Sequence, residues 1–177
     1  ACDMDKILKI AKQHKLTVIE DAAQAIDSYY KGKALGSIGD LGTFSFHETK
    51  NIQCGEGGLL SINNSIYKER AEIIWEKGTN RSAFWRGEVD KYNWVDIGSS
   101  FLPSELNTSF LFAQLEEIEE IQKRRKNIWE KYSNRLKTLE KKNVIISKIP
   151  NYATNNAHLF YLICNSLNER IALIDFL

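Results

Sequence analysis

The chain has 177 residues, 43% of them hydrophobic and 27% charged, with 24 Lys and Arg against 23 Asp and Glu. That length and balance suit one soluble core and a little more, and a net charge of +1 supplies no long-range field favouring nucleic acid or anionic lipid. Three scattered cysteines, Cys2, Cys54 and Cys164, match neither a disulfide framework nor a zinc site and suit a reducing, cytoplasmic setting, and no apolar run approaches the roughly 18 residues that cross a bilayer.

Residues 4 to 15 place Met4, Ile7, Leu8 and Ala11 on one helical face, with Asp3 or Asp5 as the cap. Leu16-Thr17-Val18-Ile19 then reads as a short buried strand that ends where Glu20-Asp21 begins, the rhythm of an α/β sheet covered on both faces. Gly32, Gly36, Gly39 and Gly42 forbid a long regular element in the next stretch, and a hairpin is expected around Tyr30-Lys31-Gly32-Lys33. Leu41 to Phe46 and Gly57 to Ile62 are further strands, the second entered through a tight Gly55-Glu56-Gly57-Gly58 turn. Asn64 opens a helix to about Lys77, with Ile66, Tyr67, Ala71, Ile74 and Trp75 along its inner side.

Residues 78 to 100 are aromatic but aperiodic, which predicts a long ordered loop or a pair of short turns, and loops of that length are usually functional. Pro103 sits where a first-turn proline is welcome. From there one long or kinked helix spans about 104 to 141, with Glu119–Lys123 and Glu120–Arg124 pairs on a solvated face. Two strands, Val144 to Ile149 and His158 to Cys164, follow, and then a helix that breaks off without a cap. A domain change is expected near 135 to 142, dividing the chain into a larger unit over 1–138 and the beginning of a smaller C-terminal one over 139–177. With one helix before the first strand and residues 172 to 177 stopping inside a helical pattern, both ends read as cut from a longer chain.

Asp21 follows a strand directly, so its carboxylate belongs at the carboxyl edge of a sheet, where ligands bind in open α/β folds. It could serve a metal, a general base role or a heteroaromatic cation, or simply cap the chain. Gln24 is within reach of the same ligand, and Ala22 and Ala23 leave room for something flat or are close-packing positions. Ser45-Phe46-His47-Glu48-Thr49-Lys50-Asn51 ends an apolar strand in a polar run that needs partners. Its serine can donate to a phosphate, and Lys50 on a cleft wall can act as an amine nucleophile, although a surface lysine beside a glycine turn has the same spacing. A lysine that forms an imine and an aspartate that meets a pyridine nitrogen make a matched pair, because the carboxylate keeps the ring an electron sink. His47 can stack on such a ring or be a structural histidine. His14 reads as solvated and His158 as facing a core or an interface. The glycines of 55 to 58 lack nucleotide-loop spacing and are expected to let the backbone pass close beneath Lys50. No metal cluster and no Ser-His-Asp arrangement is recognisable.

Taken together, Glu20-Asp21-Ala22-Ala23-Gln24-Ala25, Gly39-Asp40 with Gly42, the Ser45 to Asn51 run and Gly55-Glu56-Gly57-Gly58 resemble the sugar-nucleotide aminotransferases of the DegT/DnrJ/EryC1/StrS family. Within it, the Phe-His-Glu-Thr-Lys-Asn wording looks most like the dTDP-4-amino-4,6-dideoxygalactose transaminases of cell-surface polysaccharide (lipopolysaccharide) pathways. The resemblance implies an α/β chain of the PLP-dependent transferase fold type I, with a mixed sheet in the large domain flanked by helices and the start of a small C-terminal domain. It implies pyridoxal 5'-phosphate as cofactor, with Lys50 as the imine lysine, Asp21 at the pyridine nitrogen, Gln24 against the ring and Ser45 on the phosphate. It further implies a nucleotide-sugar substrate of the dTDP-4-dehydro-6-deoxyglucose type, L-glutamate as amino donor, and a cytoplasmic homodimer that neither reads nucleic acid nor enters a membrane. In that family a loop from the partner subunit reaches the phosphate; the matching stretch here is Gly98 to Pro103, with Ser100 where the family has asparagine. The same fold holds sugar dehydratases, in which histidine replaces the lysine. An inactive fragment serving as a structural module is the remaining alternative, and the 177 residues alone are expected to be inactive.

Overall fold

The computed structural model describes residues 1–177. Helix α1 (Met4–His14) is capped by Asp3, whose carboxylate accepts from the Lys6 N–H at 3.3 Å. Lys15 is left-handed, and Leu16 N–H returns to the Ala11 carbonyl at 2.8 Å, a closure that satisfies the last helical carbonyls. Val18 N–H is taken by Asp40 Oδ2 at 2.8 Å. Those bonds use the amides that a strand over 16 to 19 would need. Strand β1 is therefore Ile19–Asp21, later than the hydrophobic run suggests, and both acids belong to it.

The hairpin β2 (Tyr29–Tyr30) and β3 (Lys33–Ala34) forms where expected, with Lys31 and Gly32 at positive φ in its turn. Strand β4 (Leu41–Ser45) is the middle of a three-stranded mixed sheet, parallel to β1 and antiparallel to β5 (Gly58–Ile62). In the β1–β4 register Asp21 lies opposite Thr43 and Glu20 opposite Gly42. Partners share a face and neighbours along a strand alternate. Asp21, Thr43 and Ser45 thus project from one face, and Glu20, Gly42 and Phe44 from the other.

The glycine-rich loop before β4 lies directly on the sheet. A Cβ at Gly42 would sit 2.1 Å from the Gly36 carbonyl oxygen, so no larger residue fits without moving backbone. Glu20 is buried and clamps this loop, accepting from the N–H groups of Gly36, Ile38 and Gly39 at 2.9, 2.6 and 2.7 Å.

Asn64 caps a 3-10 turn (Ser65–Tyr67) that precedes α2 (Lys68–Trp75). That turn shifts the helical phase, and Ile66 is consequently 72% exposed rather than inward. Residues 78 to 100 contain α3 (Arg81–Trp85) and one isolated bridge, Thr79 with Trp94, and a second bridge ties Ser100 back to Glu76. Pro103 lies one residue ahead of the cap, which is Ser104, and not inside the first turn. The long helical segment is kinked as α4 (Glu105–Glu116) and α5 (Ile118–Leu136), then tightens to a 3-10 turn (Lys137–Lys142). Glu120 pairs with Arg124 at 2.9 Å and with Lys123 at 3.9 Å, so the Glu119–Lys123 pair gives way to Glu120.

The last two strands shrink to β6 (Ile145–Ile146) and β7 (Leu162–Ile163), followed by α6 (Leu167–Phe176). Their ladder stops early because α5 holds the residues just upstream of β7. Arg125 donates to the carbonyls of Ala157 and His158 at 3.3 and 2.9 Å, and Trp129 to that of Leu159 at 3.2 Å. On the other strand Pro150 has no N–H to offer.

Phe46, Ile52 and Cys54 form the buried centre, packed by Ile26, Phe44, Leu111, Ile118 and Ile121. The α4–α5 junction thus rests on the turn that leaves β4. No helix is long and apolar enough to cross a membrane.

Candidate active site

Asp21 ends β1 and is exposed at the carboxyl edge of the sheet; its Oδ1 accepts the Ala23 N–H at 3.1 Å. That bond turns the chain back on itself, so Ala22 is buried and Gln24 stays exposed. Asp21, Ala22 and Gln24 line an open cleft of about 590 Å³, together with α1, residues 147 to 150 and His158. Ser45, His47 and Lys50 are not part of that lining. The six sequence-marked residues therefore do not meet in one enclosed pocket within this chain. Asp21 and Ser45 are joined instead by the shared face of β1 and β4.

Ser45 is half-buried, and its hydroxyl oxygen accepts the His47 N–H at 3.3 Å, leaving the hydroxyl proton to donate. His47 Nδ1 accepts the Thr49 N–H at 3.2 Å, and Nε2 faces Glu56 at 3.6 Å. His47 thus braces the turn from inside. Lys50 N–H bonds the His47 carbonyl at 2.9 Å, while Phe46 and Glu48 pair with Gly57 and Gly55. The glycines close elsewhere than expected: a Cβ at Gly57 would meet Cys54 Sγ at 2.6 Å and Phe46 Cβ at 3.4 Å, so their close approach is to the core cysteine and phenylalanine rather than beneath Lys50.

Lys50 is followed by two buried residues. Ile52 is fully enclosed in the core. Asn51 donates to Asn156 O at 2.7 Å and Gln122 Oε1 at 2.9 Å, and its oxygen bonds His158 Nδ1 at 2.9 Å. Asn156 in turn donates to the carbonyls of Gln24 and Ile26 at 2.7 and 2.8 Å. Gln122 donates to Asp27, which also takes the Lys126 ammonium at 2.9 Å. The network ties the turn bearing Lys50 to the loop bearing Gln24. His158, expected in a core or interface, lines the cleft with Asp21 and Gln24. Burial and then the positive charges of Lys50 and Arg125 push its pKa below the ordinary histidine range. The link of Gln122, Asn156 and His158 to Asn51 carried no local sequence signal, because they lie 71 to 107 residues away from it. His14 closes α1 and is exposed, as read from the sequence.

Ser100 is exposed and bridges Glu76 at the end of α2, away from the cleft lining of its own chain.

The DegT/DnrJ/EryC1/StrS aminotransferase family model matches residues 1–177. The chain is 31% identical over 171 residues to the GDP-perosamine synthase of Caulobacter vibrioides, covering 97% of this chain and 43% of that protein. To the spore coat polysaccharide biosynthesis protein SpsC of Bacillus subtilis it is 35% identical over 136 residues, 75% of this chain and 35% of that one. Among solved structures, DesV of S. venezuelae, in complex with a ketimine intermediate, superposes with a TM-score of 0.83 at 25% identity, over 99% of this chain and 45% of that one. The chain thus spans less than half the length of these relatives. Their fold bears out the α/β, fold type I expectation. Their names carry perosamine and spore-coat polysaccharide, so the finer likeness to dideoxygalactose transaminases is not what these relatives show. With a match along its whole length, the chain belongs to the DegT/DnrJ/EryC1/StrS aminotransferase family, whose cofactor is pyridoxal phosphate.

Proposed function

We propose that this chain carries the lysine-bearing half of a sugar aminotransferase site, which moves an amino group from an amino acid to a keto group on a nucleotide sugar. The observation that supports it most is the common face of Asp21 and Ser45 on adjacent parallel strands, with Lys50 on the turn that leaves the second strand. The donor set suits pyridoxal phosphate. A carboxylate with one oxygen unused by the chain answers a cationic ring nitrogen, a serine hydroxyl with its proton free answers a phosphate, and an amine answers an aldehyde.

When bound, the cofactor supplies an electron sink for the charge left as an α-proton departs. Asp21 would hold the ring nitrogen in its charged form, a contact worth up to about 4 kcal/mol at an effective dielectric near 20. Gln24 would lie against the ring, His47 would brace the turn beside it, and Ser45 would donate to the phosphate. Lys50 would anchor the cofactor covalently and, once displaced by the donor, carry the proton between substrate carbon and cofactor. Ser100 of the partner subunit would add a phosphate contact across a homodimer. L-Glutamate is the donor to assay first. The relatives' names favour a GDP-linked keto sugar beside the dTDP-4-dehydro-6-deoxyglucose type, and a product used in cell-surface polysaccharide. Lysine at position 50 favours transamination over the dehydratase chemistry of the same fold.

The test is to add pyridoxal phosphate to the full-length chain and to its Lys50→Ala variant, reduce with borohydride, and map the adduct. Fixation on Lys50, absent from the variant, is the expected result. An adduct of equal yield in the variant refutes the lysine assignment. The isolated 177 residues should show little transamination, because they lack the rest of the preorganised shell.

A further inference from the structure

Three side-chain amides and one imidazole form a chain behind Lys50, and their hydrogen bonds leave no freedom over which atom donates. One terminus of Asn51 stands 2.7 Å from the backbone carbonyl of Asn156. A carbonyl only accepts, so that terminus is the nitrogen and the other is the oxygen. The oxygen lies 2.9 Å from His158 Nδ1, and it too only accepts. The proton in that contact therefore sits on Nδ1. The neighbours agree. Asn156 donates to two backbone carbonyls, which leaves its oxygen to accept the His158 N–H at 3.1 Å. Gln122 donates to the Asp27 carboxylate, which leaves its oxygen to accept from Asn51.

The charge of the ring follows from its surroundings. Lys50 and Arg125 act on it with positive charge, Arg125 being held at 2.9 Å from the His158 carbonyl. Asp27, the acid within the network, is engaged by Lys126 and Gln122, and Asp21 lines the same cleft. Burial and the two cations lower its pKa and so favour the neutral imidazole. Its bonds within the chain run through the backbone and Nδ1, so Nε2 holds a bare lone pair.

We infer that Asn51, backed by Asn156, is a positioning residue that fixes the His158 proton on Nδ1, leaving Nε2 of the neutral ring as a hydrogen-bond acceptor at the cleft that His158 lines. The bond that Nδ1 donates fixes the proton there and leaves Nε2 without one in the neutral ring, and here the setting comes from the residue next to the lysine. A neutral acceptor draws an N–H or O–H donor without adding charge to the site. The donor is either the Lys50 side chain or a ligand group entering the cleft. The proton on Nδ1 stands on geometry, the neutrality of the ring on its burial beside Lys50 and Arg125, and its use in catalysis on the aminotransferase reading above.

The experiment is nitrogen NMR of histidine-labelled full-length protein without cofactor at neutral pH, with His158→Gln to assign the signal. The expected result is one pyrrole-type nitrogen at Nδ1 and one pyridine-type nitrogen at Nε2, with loss of that pattern in Asn51→Ala. Asn51→Asp keeps an acceptor for Nδ1 and adds a negative charge, so it should retain the Nδ1 proton and raise the His158 titration by roughly 1 pH unit or more. A wild-type ring that is doubly protonated, or that carries its proton on Nε2, overturns the inference without any variant having to fold. An unchanged pattern in Asn51→Ala overturns the role of Asn51. Movement of the Nε2 signal in Lys50→Ala identifies the lysine as donor, and movement only on adding a nucleotide sugar identifies the ligand; both support the acceptor role. Failure of borohydride to fix cofactor on Lys50 would sink the aminotransferase reading and leave the tautomer untouched.

Discussion

Glu20→Gln probes the loop clamp at the back of the site with the smallest change of shape available. The wild-type residue is 8% exposed and its carboxylate accepts three backbone N–H groups, two at Oε1 from Ile38 and Gly39 and one at Oε2 from Gly36. Glutamine has one terminus that only donates. Its best orientation keeps oxygen toward Ile38 and Gly39 and turns an amino group against the Gly36 N–H. Leaving that N–H buried and unpaired costs about 1–3 kcal/mol, and the two surviving bonds fall from about 1.5–3 kcal/mol each toward about 1 as the charge is lost. Allowing for relaxation, the loop should be loosened by roughly 2–4 kcal/mol. Amide hydrogen exchange reads this directly. At 1.4 kcal/mol per factor of ten, Gly36, Ile38 and Gly39 should exchange roughly 30- to 700-fold faster, with amides in the middle of α5 little changed. Acceleration of less than about threefold at those three amides would refute the claim that the clamp holds the loop.

Asp21→Ala should leave the melting temperature nearly unchanged, since the side chain is exposed and bonds only the Ala23 N–H. It should lower kcat on the order of 100-fold through loss of the proposed ring-nitrogen contact; a wild-type kcat in the loaded enzyme would contradict the role given to Asp21. Gly42→Ala places a Cβ 2.1 Å from the Gly36 carbonyl oxygen, and because the obstacle is backbone it should destabilise by about 1–3 kcal/mol. A denaturation midpoint equal to wild type would show that the loop yields freely. For His158 the folded pKa lies below the unfolded value of about 6.5, so the unfolded chain binds more protons as pH falls through that window. Stability should therefore decline from about pH 7 down to the depressed folded value, and His158→Gln should flatten that part of the curve measured by denaturant titration at several pH values. An identical slope in the variant would refute it.

Much of the fold could be read in advance because it rests on local periodicity. The face of α1, the hairpin at Tyr30 to Lys33, β4, β5 and the kinked helix all carry their pattern within a dozen residues. Errors arose where backbone amides were claimed by something other than the next strand. Leu16 reads as strand by hydrophobicity, yet its N–H closes α1. His158 to Phe160 read as strand too, but Arg125 and Trp129 hold the carbonyls of Ala157 to Leu159. Glu20 reads as part of an acidic edge and is in fact a buried acceptor, because its three donors lie 16 to 19 residues downstream.

The candidate site divides along the same line. Asp21 and Ser45 sit at strand ends and Lys50 on the turn that follows, where a short polar run after an apolar one is visible in sequence. What holds Lys50 in place is not. Its turn is fixed by the enclosed Ile52 on the core side and by Asn51 on the polar side, whose partners come from α5 and from the segment around Asn156. Each of those side chains alone is an ordinary amide or imidazole. Their function is collective: a buried amide left with one partner missing is a liability of about 1–3 kcal/mol, so the set selects a single arrangement of three distant segments. In the role proposed for it, first anchor and then proton carrier, Lys50 depends on such an arrangement, because its flexible stem supplies no orientation of its own. The rigidity lies in Asn51 and Ile52, one and two residues further along the chain.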